Sequence, residues 1–214
     1  MLEIKKYSTP HKLIKYSKQK YVSYETMDSD VKEELLQSLL SEQGSLCAYC
    51  MRRITESSTT IEHWYPRNPI NGTDIGQGLD YRNMLAVCLG NRGCKNKDHT
   101  TCDAHKGNDT IKVNPLDPNT LTCIIYNYEG IISSTNPEIN KDLQDTLNLN
   151  CKAVSLPQNR RSVLNALIRR MHKKCSSRDA IARQSQRLLN KLNLECDPKT
   201  PYSGIVIWWL DLHK

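Results

Sequence analysis

Cys47-Ala48-Tyr49-Cys50 sets two thiols at Cys-x2-Cys spacing. That spacing lets two thiolates reach one tetrahedral Zn²⁺. A second cluster holds Cys88, Cys94 and Cys102, with His99 and His105 beside them. It can supply the two ligands still needed. Thirteen residues separate Cys88 from Cys102, and Cys94 and His99 fall in that interval, so spacing alone leaves the choice open. The bland alternative is that these thiols are small buried hydrophobes. The polar, turn-rich composition of residues 45–110 weighs against it, because a bound metal would there replace part of a missing core. Cys123, Cys151, Cys175 and Cys196 stand alone in the sequence and are read as packing residues.

The chain has 214 residues, 38% of them hydrophobic and 25% charged, with no Phe. Such a composition suits a soluble folded chain and not a disordered one. The longest apolar run, Ile205-Val206-Ile207-Trp208-Trp209-Leu210, is too short to span a bilayer. Met1 to Lys6 lacks an apolar signal region. The expectation is therefore a cytoplasmic protein with no membrane partner, whose nine cysteines serve metal rather than disulfides.

The net charge of +7 is unevenly spread. Residues 1–20 carry six Lys against Glu3, and residues 151–191 carry eleven Lys or Arg against Asp179. A single basic run is usually a solvated helix face. Two runs flanking the Cys- and His-bearing middle fit a polyanion, since phosphate contacts supply most non-specific nucleic-acid affinity.

Periodicity predicts a helix over Ser29 to Gln43, with Asp30 and Glu33 as a start signal and Gly44 as the stop. Residues 1–28 show no clear period. Leu121 to Tyr128 reads as a strand, Pro137 to Leu149 as a helix, Asn159 to Cys175 as a basic amphipathic helix, and a further helix opens at Ser177. Ile205 to Leu212 closes the chain as an apolar strand.

Between the cysteine clusters lies Thr60-Ile61-Glu62-His63-Trp64-Tyr65-Pro66. Adjacent strand residues point to opposite faces, so Glu62 and His63 can share a site only if the chain turns there. Asn83-Met84-Leu85-Ala86-Val87-Cys88 and Cys102-Asp103-Ala104-His105-Lys106-Gly107 follow. In this order the segments resemble the HNH endonuclease family, with its ββα-metal fold. With Glu42-Gln43 before the first Cys pair and the basic helical tail, the chain is similar to the HNH subunit of Septu-type and retron-associated anti-phage systems.

The resemblance implies an α+β, mainly helical protein: an N-terminal basic segment and helix (1–44), a zinc-stapled HNH core (45–112) and a mainly helical C-terminal region (113–214). It implies structural Zn²⁺ on Cys47, Cys50, Cys88 and Cys102, and Mg²⁺ or Mn²⁺ on Glu62 and Asp103. His63 becomes the general base and Asn83 the residue that orients the His loop. Asp103 stands where the family usually has His or Asn, with His105 as its rival. Lys106 is expected to contact phosphate, and Arg161, Arg169, Arg170, Lys173 and Lys174 to bind nucleic acid. The implied activity is phosphodiester hydrolysis of DNA, or of RNA such as tRNA, in phage defence. The implied partners are an ABC-like ATPase subunit and, in retron-linked systems, a reverse transcriptase with its RNA–DNA product. The competing expectation is a non-catalytic zinc module that only grips nucleic acid or a protein.

Overall fold

The structure, a computed structural model, describes residues 1–70 and 72–214. It is an α+β fold, 45% helical, with two small antiparallel sheets among the described residues. In chain order the elements are α1 (His11–Ser17), α2 (Ser29–Gln43), β1 (Thr59–His63), β2 (Met84–Cys88), α3 (Asp103–Lys106), α4 (Pro118–Leu121), β3 (Ile124–Tyr126), β4 (Ile132–Ser134), α5 (Pro137–Lys141), α6 (Leu156–Lys174), α7 (Arg178–Asn193) and α8 (Ser203–Asp211). One continuous hydrophobic core draws on residues from Met1 to Leu210.

Helix α2 has the bounds the sequence gives, and Gly44 ends it in the left-handed conformation at φ 63°. A side chain would be strained there, and a Cβ would also meet Lys199 and the Cys196 carbonyl. The start signal differs from expectation. Asp28 is the N-cap, without a side-chain capping bond, and Asp30 instead pairs with Lys12 at 2.9 Å. That pair joins α2 to α1, a helix the aperiodic residues 1–28 gave no hint of. Leu13 and Tyr16 are its only buried residues, too few to make a period.

Sheet β1–β2 pairs Thr59 with Cys88 and His63 with Met84. Every residue of β2 is buried, with Met84, Leu85, Ala86 and Val87 all fully so. The expectation that residues 45–110 are core-poor is thus corrected: β2, Leu46, Tyr49, Met51 and Ile54 form a compact part of the core. Gln43 fixes α2 to this strand. Its amide donates to the Ala86 carbonyl at 2.7 Å and accepts from the Ala86 N–H at 2.8 Å, as a neighbouring strand would.

Three element expectations change. Strand β3 is only Ile124–Tyr126, because Asp117 accepts from Asn119 N–H and Pro118 opens a helical turn ahead of it. The helix from Pro137 stops at Lys141 and continues as a wider π-turn over Asp142–Thr146. There the buried Asp142 carboxylate accepts from the Val113 N–H at 2.9 Å and the Lys112 N–H at 2.6 Å. Residues 205–211 belong to helix α8 rather than to a strand, with Leu212 as its C-cap. Ile205, Trp209 and Leu210 are buried, and a short run that is apolar all round cannot reveal its period.

Helix α6 begins at Leu156, and α7 is capped by Ser177, whose hydroxyl accepts from Ala180 N–H at 3.2 Å. Arg160 leaves the basic surface run altogether. It is buried, donating to Gly130 O at 2.6 Å, Leu149 O at 2.9 Å and Asn150 Oδ1 at 2.8 Å. No helix among the described residues is long and apolar enough to cross a membrane.

Candidate metal centre and the adjoining cleft

Residues 45–54 form a tight knuckle. Leu46 bridges Arg53, Cys47 N–H donates to Arg52 O at 2.9 Å, and Met51 N–H returns to Cys47 O at 3.0 Å. Met51 takes a left-handed conformation (φ 60°) to close it. The knuckle turns Cys47 and Cys50 toward the end of β2, where Cys88 stands, and the start of α3, where Cys102 stands. Cys102 is itself left-handed (φ 55°), held by its N–H on Leu147 O at 2.9 Å. A non-glycine residue there is costly and persists only where its surroundings demand it.

These four cysteines are buried, and their sulfurs all lie within 4.8 Å of one another. Cys47–Cys102 and Cys88–Cys102 Sγ separations are 3.8 Å, and Cys50–Cys88 is 3.7 Å. A disulfide needs about 2.05 Å. A tetrahedron of sulfurs about 2.3 Å from a central zinc has edges of roughly 3.8 Å. The spacing fits the metal and not the disulfide, so the quartet could hold a zinc ion. Cys94 is half-buried in a loop outside this group, and His99 is exposed against Asn96. Contact with the Cys47, Cys50 and Cys88 sulfurs, and then burial, push the Cys102 thiol well above its usual range. Four sulfurs this close together are the donor set that a zinc ion takes as thiolates.

Cys88 sits opposite Thr59 and Met84 opposite His63, so the cysteines lie at one end of sheet β1–β2 and His63 at the other. Four strand residues separate these ends, about 13 Å. Helix α3 bridges part of that distance. It leaves the sulfur cluster at Cys102, presents Asp103, and ends at Lys106, whose Nζ meets Glu62 Oε1 at 2.7 Å and His63 O at 3.2 Å.

Glu62, His63 and Asp103 line one cleft of about 280 Å³, together with Tyr24, Arg67, Arg92 and Asn108. Glu62 is buried. Burial pushes its carboxyl up to about 8 despite the nearby Lys106 ammonium, and the Asp103 carboxyl, close enough to hydrogen-bond it, adds to the rise. Tyr49 also donates to Glu62 at 3.3 Å. Asp103 is paired on its other side with Arg92.

His63 Nε2 lies 3.0 Å from Gly78 O. A carbonyl only accepts, so Nε2 carries the proton and Nδ1 is left with its lone pair. Burial lowers the His63 pKa below its usual 6.5, which keeps the ring neutral at pH 7. The Tyr24 ring meets it edge-on at 4.7 Å. Asn83 fastens the chain after His63: its Nδ2 donates to Tyr65 O at 2.9 Å, its Oδ1 accepts from Tyr65 N–H at 2.8 Å, and its backbone O accepts from Trp64 N–H at 2.9 Å. Glu62 and His63 both lie within strand β1, and the cleft runs along that strand from Thr60 to His63, ahead of the turn.

His105 does not line this cleft. Its Nδ1 lies against Lys97 O and Thr100 Oγ1. Lys106 is 1% exposed and engaged by Glu62, so it is not the surface phosphate contact expected of it. Arg161, Arg169, Arg170, Lys173 and Lys174 are exposed on α6, with Arg161 paired to Glu129. Sequence reasoning missed Tyr24, Arg67 and Arg92, which lie outside the motif positions. Arg183, Arg187 and Lys191, counted in the basic run of residues 151–191 but not singled out, are exposed at four-residue spacing on α7.

No family model matches the chain, and no curated protein matches it.

Proposed function

We propose that this protein is a metal-dependent endonuclease of the HNH kind, hydrolysing phosphodiester bonds in DNA or RNA. The observation that carries the reading is the single cleft shared by a neutral, tautomer-fixed imidazole and two acidic side chains, braced by a helix that starts at a buried four-sulfur cluster.

His63 Nδ1 has the free lone pair to take a proton from an attacking water, a role suited to a neutral ring. Glu62 and Asp103 offer adjacent carboxylate oxygens, the donor set that hard divalent ions such as Mg²⁺ or Mn²⁺ take. Such an ion, when bound, supplies charge stabilisation at the phosphate and leaving oxygen. Lys106 and Arg92 hold these two carboxylates in place from behind and beside. Asn83 keeps the His63 turn closed through its two bonds to Tyr65. The zinc expected on Cys47, Cys50, Cys88 and Cys102 is structural, since no sulfur lines the cleft among the described residues.

The exposed cations of α6 and α7 supply sequence-independent attraction for a nucleic-acid backbone. The resemblance extends the proposal to phage defence beside an ABC-like ATPase, or beside a retron reverse transcriptase with its RNA–DNA. Incubating the purified protein with duplex DNA, single-stranded DNA and tRNA, with and without Mg²⁺ or Mn²⁺ and these partners, tests the reading. Divalent-dependent cutting of at least one substrate is expected. Binding without cutting under every condition would leave only a zinc-stabilised binding module.

A further inference from the structure

We propose that Arg67, carried on the face of Tyr24, is the phosphate-binding residue of the cleft, and that Tyr24 positions the His63 ring; this rests on the nuclease reading above. Arg67 and Arg92 line the cleft, and the buried Lys106 reaches its Glu62. Two of these cations are matched to the cleft's own acids, Arg92 to Asp103 and Lys106 to Glu62. Arg67 alone pairs outside it, with Glu25, whose side chain is 62% exposed and does not line the cleft. The Arg67 side chain is half-buried at 31% exposure, so the pair is solvated from the Glu25 side, where an exposed carboxylate holds weakly against a competing anion.

The Arg67 guanidinium lies 4.6 Å from the centre of the Tyr24 ring. Its plane is thus held by the aromatic face while its edge keeps donors beyond those one carboxylate can use. A planar donor fork fits the oxygens of a phosphodiester. The same Tyr24 ring stands edge-on to His63, with 89° between the planes. One side chain of the N-terminal segment therefore touches both the residue proposed to bind the phosphate and the residue proposed to activate water. Fixing both from one ring sets their separation, which is what a reaction between a bound phosphate and a positioned water requires.

The test uses the full chain, zinc-loaded, and fluorescein-labelled 20-nucleotide single strands of mixed sequence, as DNA and as RNA. Binding is read by anisotropy across a salt series without added Mg²⁺, and cleavage with Mg²⁺. Arg67→Met is expected to weaken binding about tenfold and to make the slope of log affinity against log salt shallower by roughly 0.7. It is expected to raise KM while kcat stays within a few-fold. Arg67→Lys should restore the slope but only part of the affinity, and its unchanged melting temperature controls for folding. Tyr24→Leu should lower kcat more than it raises KM, and Tyr24→Phe should stay close to wild type. An unchanged affinity and salt slope in Arg67→Met would overturn the proposal, as would a wild-type protein that binds neither strand. Cleavage lost in His63→Ala with Arg67→Met unaltered would sink the phosphate site and leave the nuclease reading standing. Arg67-dependent binding with no cleavage of any substrate would do the reverse.

Discussion

Lys106 Nζ lies 2.7 Å from Glu62 Oε1, with the two side chains 1% and 7% exposed. Neither charge has water to turn to. Lys106 stands at the end of a helix that begins on the sulfur cluster, so the pair links that cluster to the cleft. Replacing Lys106 with Met removes the one cation beside Glu62, so at a pH well above 8, where the Glu62 carboxyl ionises, its charge is left buried and alone, and breaking such a pair costs about 3–5 kcal/mol. Urea denaturation should show that loss, and the double variant Lys106→Met/Glu62→Gln should recover much of it.

The elevated Glu62 pKa makes stability depend on pH. An acid whose folded pKa exceeds its unfolded value favours folding while protonated, and that contribution fades as pH rises through the folded pKa. With the usual value at 4.5 and the folded one at about 8, the metal-free protein should lose stability between roughly these limits. Glu62→Gln should flatten that part of the profile. Melting temperatures from pH 4.5 to 9, without added Mg²⁺, measure it.

His63 moves the other way. Burial lowers its pKa, so the neutral ring persists to lower pH than a free histidine's would. The acid limb of kcat/KM against pH is therefore expected below 6.5. A limb centred above that value would take the proton-accepting role from His63.

Asn83 makes two hydrogen bonds to the Tyr65 backbone from a buried position. Asn83→Ala leaves those groups unpaired, at about 1–3 kcal/mol each, and frees the turn that sets His63. A lower melting temperature and a fall in kcat beyond that of a stability-matched control are the expected outcome.

Much of this was legible in residues, and what was not has physical reasons. Cys47 and Cys50 were legible as a pair from their spacing, whereas the choice of Cys88 and Cys102 over Cys94 came from the family resemblance and not from any local signal. Helix α2 was readable because a long amphipathic period and a glycine stop agree. Helix α8 was not, since a run apolar on all sides carries no period to separate helix from strand. Lys106 misled because the resemblance assigned it to phosphate, and nothing in its local sequence shows that it is buried against Glu62. Only the packing of α3 against β1 shows it facing inward. Tyr24 and Arg67 meet through tertiary contact between distant segments, and nothing in their local sequence announces it.

Removal of zinc should unfold the knuckle and the cleft together, because Cys88 and Cys102 end β2 and start α3. Circular dichroism and intrinsic fluorescence should change in step as a chelator strips one zinc per chain. Cys88→Ser should behave as the stripped protein does.

The most direct measurement compares divalent-dependent cleavage by wild type and His63→Ala at matched zinc content and matched melting temperature. The account predicts one zinc in each and a loss of rate of at least about 100-fold in the variant. Equal rates in the two proteins, or a folded wild type with no zinc on its four thiols, would contradict it.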